Sequence, residues 1–300
     1  MFNWLKYQKL YYIFSALLII ATIVGFVVYG LNLGIDFQGG SELSVTYQDQ
    51  APTTKLVEEN LADFNFEDLT VRKAGRREVV IQVKSQNISE IQKDKVLSSL
   101  GELGELQKNS AGFESISPVV GKALESKTQT VVIFSVIAIL LYISIAFSQI
   151  SRPLPSWQYG FAALIALLHD VLIVLGVFIV LGVVAGIEIN IPIVTALLIV
   201  FGYSVNDSVV VFDRIRENIL HGSAHQFDKV VNESLSQTIV RSINTSFTTL
   251  LVLVALFIFG GTSLQYFALS LIVGIIAGTY SSLFLASPIL VSWWRKKFNR

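Results

Sequence analysis

Long apolar segments recur along most of the chain, and this pattern predicts six membrane-spanning helices. A helix needs about 20 mostly apolar residues to cross the hydrocarbon core of a bilayer. One candidate is shorter and follows a polar lead-in, whose serines and threonines can bond to carbonyls of their own helix. The predicted spans cover residues 11–31, 130–150, 160–182, 191–212, 246–259 and 264–293.

A long polar segment interrupts the series between the first two spans. Within it, apolar residues recur every two residues in some stretches and about every 3.6 residues in others. This pattern predicts strands and helices in the order β-α-β-β-α-β. That order is typical of a ferredoxin-like α+β domain. Ser89 is the predicted N-cap of the second helix, and Ile91, Val96 and Leu100 form its inward face. The predicted strands are 42–47, 69–74, 78–83 and 113–116, and the helices are 53–64 and 89–100.

The chain is therefore predicted to have three parts. Residues 1–31 contain the N-terminus and the first span, and residues 32–127 form the inserted α+β domain. Residues 128–300 contain the remaining spans and the C-terminal tail. The predicted fold class is a six-helix membrane bundle that carries an inserted α+β domain.

The distribution of lysine and arginine predicts the orientation. Short loops rich in these residues stay on the cytoplasmic side, whereas long loops cross the membrane regardless of charge. The basic short segments all fall on one side when six helices alternate, so both termini are predicted to be cytoplasmic and the inserted domain extracytoplasmic. These segments are residues 1–9, the stretch around Arg152, 214–241 and 295–300.

Composition agrees with a membrane protein and excludes several functions. Hydrophobic residues make up 53% of the 300 positions and charged residues 15%, whereas a soluble domain carries about 25% charged residues. The net charge is +0, and no basic patch with interleaved aromatics indicates nucleic-acid binding. The absence of cysteine excludes disulfides, thiolate metal sites and cysteine nucleophiles. The inserted domain has no glycine-rich phosphate loop, so we expect binding and movement rather than catalysis.

Ionisable side chains inside the predicted spans are the first candidates for function, because they are costly in lipid. Asp170, beside His169, lies in the third span, and Asp207 lies in the cytoplasmic half of the fourth. A polar face on the fifth helix begins at Arg241 and includes Asn244. Asp207 and this polar face predict a narrow polar seam between the fourth and fifth helices. In this seam, protonation of the Asp207 carboxylate would be linked to movement of Arg241.

Four further charged residues lie at the predicted cytoplasmic mouth of this seam. Asp213 and Arg216 are three positions apart on one helix, a spacing that is also typical of an ordinary surface ion pair. The pair of His169 and Asp170 has a structural alternative as well, since it could only fix helix packing. The mouth residues are Asp213, Arg214, Arg216 and Glu217.

Several stretches resemble the SecF branch of the SecD/SecF family of protein-export membrane proteins. Gly-Ile-Asp-Phe-Gln-Gly-Gly at 34–40 resembles a family signature just outside the first span, and the run at 202–218 resembles the fourth-helix signature. The resemblance covers essentially the whole chain. Arg-Ser-Ile-Asn-Thr-Ser at 241–246, Gly-Thr-Tyr-Ser-Ser at 278–282 and His-Asp at 169–170 also fit.

This resemblance implies a function that the residues alone do not specify. It implies that the six helices are half of a transporter of the resistance-nodulation-division superfamily, with SecD as the other half. The pair would assist the SecYEG translocon, with YajC and YidC as further partners, and would draw unfolded preprotein across the cytoplasmic, or inner, membrane. The proton gradient would supply the energy, and no cofactor is implied.

The resemblance also implies roles for individual residues. Asp207 would be the proton-carrying acid and Arg241 its regulating cation. Asp213, Asp170 and Asn244 are further relay candidates because of their positions in or beside the spans, and not because of the resemblance. The signature glycines and aspartate would form a hinge between the first helix and the inserted domain. These hinge residues are Gly34, Asp36, Gly39 and Gly40.

Two other functions stay open at this point. A transporter of the same superfamily could move lipids or hydrophobic drugs, although this chain would then need a partner or a dimer to supply twelve helices. An intramembrane aspartyl protease could use Asp170 and Asp207, which would have to share a proton at about 3 Å. The sequence contexts that such proteases resemble are absent.

Overall fold

The computed structural model describes residues 2–66, 68–84, 88–107, 111–147, 153–221 and 226–298. The chain divides into two compact units. The bundle unit consists of Met1–Leu31, Val131–Val184 and Pro192–Arg300. The sheet unit consists of Asn32–Thr130 together with Ala185–Ile191, a loop from much later in the chain.

The chain begins in the bundle unit, passes through the sheet unit and returns to the bundle unit, and one later loop, Ala185–Ile191, again belongs to the sheet unit. A short 3-10 turn precedes the first helix, and a π-helical turn, Ser282–Ala286, separates the last two. In chain order the elements are α1 (Gln8–Tyr29), α2 (Ile35–Gln38), β1 (Gly40–Thr46), α3 (Thr54–Leu61), β2 (Leu69–Ala74), β3 (Glu78–Lys84), α4 (Glu90–Glu102), β4 (Gly112–Ile116), α5 (Pro118–Ala146), α6 (Ser156–Ala185), α7 (Ile191–His221), α8 (Phe227–Phe259), α9 (Gly261–Ser281) and α10 (Ser287–Lys297).

The predicted six spans are confirmed, because six helices are long and apolar enough to cross a membrane. The prediction of a loop over 214–241 is wrong, since α7 continues to His221 and α8 begins at Phe227. Polar residues do not end a helix once it leaves the bilayer, because water solvates their side chains while the backbone ladder continues. The basic position Arg152 lies outside the described residues.

The sheet unit has the predicted ferredoxin-like order of elements. Its four strands lie in the order β2-β3-β1-β4, and all the paired strands are antiparallel. Helices α3 and α4 bury Val57, Leu61, Val96 and Leu100 in a core with the apolar face of the sheet. The opposite face of the sheet carries mainly polar residues, with the buried Val80 among them.

The start of α4 shows one correct and one wrong prediction. Ser89 and Gln92 form a capping box, in which each side chain bonds to the other residue's backbone N–H. Ile91, however, is 72% exposed. It precedes the buried Val96 by five positions, which turns it about 140° round the helix from the inward stripe.

Small residues let α9 approach α7 closely in the bundle unit. A Cβ added at Gly274 would overlap the side chain of Val200, and one added at Gly278 would lie 3.3 Å from the Cβ of Ser204. Such glycines are typical of tight helix contacts within membranes. This close approach brings the end of α9 beside the acidic residues described below.

The turn between α2 and β1 requires a glycine at position 39. Gly39 has a φ of +79°, and a Cβ added there would lie 2.6 Å from the Cα of Pro118. Gly121, one turn further along α5, faces the same turn, because its added Cβ would lie 2.7 Å from the carbonyl oxygen of Phe37. The first turn of α5 is therefore packed directly on the backbone of residues 37–39.

We predict that Gly39→Ala destabilises the sheet unit by about 3 kcal/mol, through a left-handed φ and a backbone clash. Gly75→Ala is the matched control, because Gly75 has a φ of +80° but open space around it. That control should cost only about 1–2 kcal/mol. Urea-dependent proteolysis of the full chain measures both variants, and equal costs would show that the contact with Pro118 contributes nothing.

Candidate functional site

Asp170 on α6 is fully buried and is held by side chains from other helices. Its Oδ2 accepts hydrogen bonds from Ser204 of α7 at 2.6 Å and from Ser281 of α9 at 2.8 Å. Its Oδ1 lies 3.0 Å from Nδ1 of the neighbouring His169. Each carboxylate oxygen thus has a polar partner, and the acid joins α6, α7 and α9.

Asp207 on α7 is also buried, with 5% of its surface exposed, but it has fewer partners. Its Oδ2 accepts a hydrogen bond from Ser282 at 2.7 Å. The hydroxyl of Ser242 on α8 faces the same carboxyl but makes no hydrogen bond of normal geometry within the described residues. The carboxylate of Asp207 therefore accepts fewer hydrogen bonds from protein groups than the carboxylate of Asp170.

The two acids are connected through adjacent serines at the end of α9. Ser281 donates to Asp170 and Ser282 donates to Asp207. The π-helical turn begins at this point, and the hydroxyl of Ser287 donates to the carbonyl of Ser282 at 3.2 Å. π turns are rare and frequently occur at functional sites. A shift of this turn would act on both carboxylates together.

A row of hydroxyl groups lies beside the site of Asp207. Tyr203 donates to Ser246 at 3.1 Å, and Ser246 bonds to Thr279. Ser282 in turn donates to the carbonyl of Thr279 at 3.1 Å. This bond of Ser282 ends on a backbone carbonyl, which only accepts, so it does not connect Asp207 to the hydroxyl of Thr279. The row joins α7, α8 and α9.

The polar face predicted on α8 points away from these acids. Arg241 and Asn244 are exposed at the surface of the bundle, and the hydroxyl of Thr245 is bonded back to the carbonyl of Arg241 at 3.0 Å. Within the described part of the chain, no ion pair joins Arg241 to an acid. The structure therefore separates Arg241 from Asp207, although Ser242, the next residue, faces Asp207.

The predicted mouth residues form local pairs along α7. Asp213 lies 2.9 Å from Arg216, with 56% and 36% of the two side chains exposed. Arg214 pairs with Glu217 and donates to Gln237 of α8 at 2.6 Å. Exposed pairs at this spacing contribute about 0.2–0.5 kcal/mol each. This geometry agrees with the surface-pair alternative for Asp213.

The signature turn contacts the loop between α6 and α7, inside the sheet unit. Gly34 N–H donates to the carbonyl of Ile189 at 2.9 Å, and Ile189 N–H donates to the carbonyl of Asn32 at 2.7 Å. The Oδ2 of Asp36 accepts a hydrogen bond from the backbone N–H of Ile191 at 2.7 Å. Asp36 thus caps the first residue of α7, the helix that carries Asp207.

Acidic residues collect on the polar face of the sheet beside this loop. The amide nitrogen of Gln82 donates to Glu42 at 2.5 Å and to Glu188 at 2.6 Å. Partial burial, followed by the charges of Glu42 and Asp36, raises the pKa of Glu114. Within the described ranges, no three acidic or histidine side chains are grouped closely enough to hold a metal ion.

Sequence reasoning missed the serines that hold the acids. Ser281 and Ser282 belong to a stretch that fits the family pattern, but the pattern alone gives them no partner. The available signal was the pair of hydroxyls in an apolar helix, since buried acids in a membrane need donors from neighbouring spans. The contact of Asp36 with Ile191 was also missed, because it joins positions 155 residues apart.

We predict that Ser282→Ala lowers the stability of the bundle by about 1–3 kcal/mol, because the Asp207 carboxylate loses its hydroxyl donor. Ser270→Ala is the matched control, since Ser270 is equally buried on α9 but, among the described residues, its hydroxyl bonds to the carbonyl of Tyr266 in its own helix. Thermal unfolding in detergent measures both. A control that unfolds as early as Ser282→Ala would contradict the assignment.

Two family models match the chain. The model described as "Protein export membrane protein SecD/SecF, C-terminal" matches residues 95–296. The model described as "SecD/SecF GG Motif" matches residues 24–51, which include the signature turn. Together they cover the inserted segment in part and nearly all of the later helices.

Curated relatives are similar over their full length. The chain is 38% identical to "Protein translocase subunit SecF" of Thermobaculum terrenum, with 100% of this chain and 96% of the relative covered. It is 36% identical to the protein of the same name from Anaerolinea thermophila, with 100% and 98% covered.

Solved structures of a longer protein show the same fold. The crystal structure of SecDF, a translocon-associated membrane protein from Thermus thermophilus, matches with a TM-score of 0.85 and 31% identity over 100% of this chain. SecDF in a super-membrane-facing form matches with a TM-score of 0.64 and 28% identity over 99% of this chain. The chain spans 39% of the SecDF chain in each case.

Proposed function

Because this chain belongs to the SecD/SecF family of protein-export membrane proteins, we propose that it couples proton passage to protein export as the SecF-type half of a pair. Its full-length relatives are translocase subunits, so the chain is a transport component in protein translocation and not an enzyme. The family also favours protein export over the transport of lipids or drugs. The proton gradient supplies the energy in this proposal.

The burial of Asp207 is the observation that carries the proposal. A carboxylate with few donors in a membrane bundle is costly when charged and far less costly when protonated. One elementary charge that crosses 100 mV releases about 2.3 kcal/mol. That free energy shifts an equilibrium between two helix packings roughly fifty-fold. Loading and release of a proton at Asp207 would therefore move helices.

The exposed polar face of α8 supports the need for a partner. Arg241, Asn244 and Thr245 lie on the surface of a helix that crosses the membrane, where contact with lipid would be unfavourable. A second chain with polar or acidic groups would cover this face and complete a seam with Asp207. SecDF is longer than this chain, which matches 39% of it, and this agrees with a SecD-type chain as the partner.

The remaining parts of the proposal follow from the resemblance. The pair would work on unfolded preprotein at the SecYEG translocon, with YajC and YidC as further partners. It would lie in the cytoplasmic, or inner, membrane with both termini in the cytoplasm and the sheet unit outside. The hydrogen bonds of Asp170, and not the resemblance, favour a structural role for it: it would hold α6, α7 and α9 together rather than carry the proton.

We predict that Asp207→Asn abolishes proton flux that depends on unfolded polypeptide, because an amide cannot carry the proton. The loss should be about a hundredfold or more. The measurement uses proteoliposomes that contain the chain, its SecD-type partner and SecYEG, with export measured in parallel. Glu233→Gln is the control, since Glu233 is exposed on the same bundle. Unchanged flux and export in Asp207→Asn would remove the proposal.

We also predict that the polar face of α8 is wet in the assembled pair. The chain has no native cysteine, so Thr245→Cys can be labelled with a water-soluble maleimide without background. Phe247→Cys is the control, because position 247 is equally exposed but lies about 200° round the helix. Labelling should be confined to Thr245→Cys. Equal labelling of the two variants would show that no aqueous seam follows this face.

A further inference from the structure

We propose that Asp36 is a positioning residue that fixes the outer end of α7 to the sheet unit, so that displacement of α7 moves the sheet unit with it. This inference rests on the proposed function, because it supplies the mechanical connection between Asp207 and the sheet unit. It assigns Asp36 a bond to a second helix, in addition to its place in the turn after α1.

The bond of Asp36 satisfies a helix end that otherwise needs a partner. The first backbone N–H groups of a helix have no acceptor within the helix, and a carboxylate there also complements the helix dipole. Asp36 accepts from the N–H of Ile191, where α7 begins. Most capping acids lie next to their helix in sequence, whereas this acid comes from 155 positions earlier. The cap therefore joins two distant segments.

Further bonds hold the loop before α7 to the same segment. Leu33 and Ile189 form a parallel β-bridge. The side-chain nitrogen of Asn32 lies 3.4 Å from the carbonyl oxygens of both Gly186 and Ile187. These bonds attach Gly186, Ile187 and Ile189 of the loop to residues 32–33, close in sequence to Asp36.

The sheet itself provides another attachment. Gln82 of β3 donates to Glu188 of the loop at 2.6 Å, and both side chains are buried. A Cβ added at Gly34 would lie 3.4 Å from a carboxylate oxygen of Glu188, so the loop lies directly on the signature turn. The turn, the loop and the strand thus form one bonded cluster within the sheet unit.

Continuity of α7 connects this cluster to the acid. The helix runs without a break from Ile191 to His221 and includes Asp207. Ile191 and Asp207 are sixteen positions apart, which corresponds to about 24 Å along the helix axis. A shift or rotation of α7 at Asp207 would therefore reach the capped end and the sheet unit.

The first experiment separates coupling from proton passage. Asp36→Ala removes the cap but leaves Asp207 unchanged, so proton flux should stay near the wild-type value while export falls about fivefold. Asp36→Asn should recover most of the export, because its amide oxygen can still accept the bond. Both are measured in the proteoliposomes described above, at equal amounts of folded protein.

The outcomes have distinct meanings. Wild-type export in Asp36→Ala, or equal loss of flux and export in that variant, would overturn the positioning role. Asp207→Asn is measured beside it: if that variant keeps its flux, the proton proposal fails, and the role of the bond is decided by the disulfide experiment below. If Asp36→Ala does not fold, the disulfide experiment also decides the role of the bond.

A reversible disulfide tests the attachment itself. Adjacent strands lie about 4.8 Å apart, which is within the Cα separation of a disulfide. Leu33→Cys with Ile189→Cys can therefore be oxidised in the full chain, which has no other cysteine. Oxidation should leave export unchanged, because these segments stay together throughout the cycle. Loss of export on oxidation, restored by a reductant and absent from either single variant, would contradict the inference.

Discussion

A carboxylate inside a membrane bundle loses its water, and the donors that replace that water determine which helices stay together. In this protein the donors are serines. Ser204 and Ser281 bond to Asp170, and Ser282 bonds to Asp207, so three helices meet around two acids. The glycines of α9 allow this meeting, because they bring the helix within reach of α7. The remaining features of the bundle follow from this requirement.

Asp170 and Asp207 differ in the number of hydrogen-bond partners that their carboxylate oxygens have. Among the described residues, Asp170 has a partner for each oxygen, whereas Asp207 accepts one hydroxyl bond of normal geometry, from Ser282, and faces the hydroxyl of Ser242. A carboxylate whose oxygens are both hydrogen-bonded stabilises one arrangement of helices. A carboxylate with fewer hydrogen bonds can gain or lose its proton at a modest cost in free energy. This contrast, together with the uncovered Arg241 at the surface of α8, favours Asp207 as the moving part and Asp170 as the fixed one.

Much of the fold could be predicted from local pattern. Apolar length is sufficient for six spans, and alternation with turn residues is sufficient for the order of the sheet unit. The sequence pattern did not predict the loop at Ala185–Ile191 as part of the sheet unit, since no local period records a bond between Asp36 and Ile191. Ile91 is apolar and near the start of its helix, but it lies about 140° round the helix from Val96 and is therefore exposed.

The candidate site was predicted in part for a similar reason. Acids and an arginine in apolar segments are visible in the sequence, but their partners depend on which faces of different helices meet. Arg241 and Asp207 were expected in one seam, and within this chain α8 directs Arg241 outward. A helix face that is directed at another chain has the same pattern as a face directed inward, so one sequence cannot distinguish them.

The π-helical turn at Ser282–Ala286 adds a geometric consequence. A π turn accommodates one extra residue within the length of an α-helix, and each residue of an α-helix turns the chain by about 100°. If the turn migrated towards α9, Ser281 and Ser282 would rotate away from their acids in a single step. The two carboxylates would then lose donors simultaneously, and α9 would behave as a two-position ratchet rather than as a rod that bends gradually.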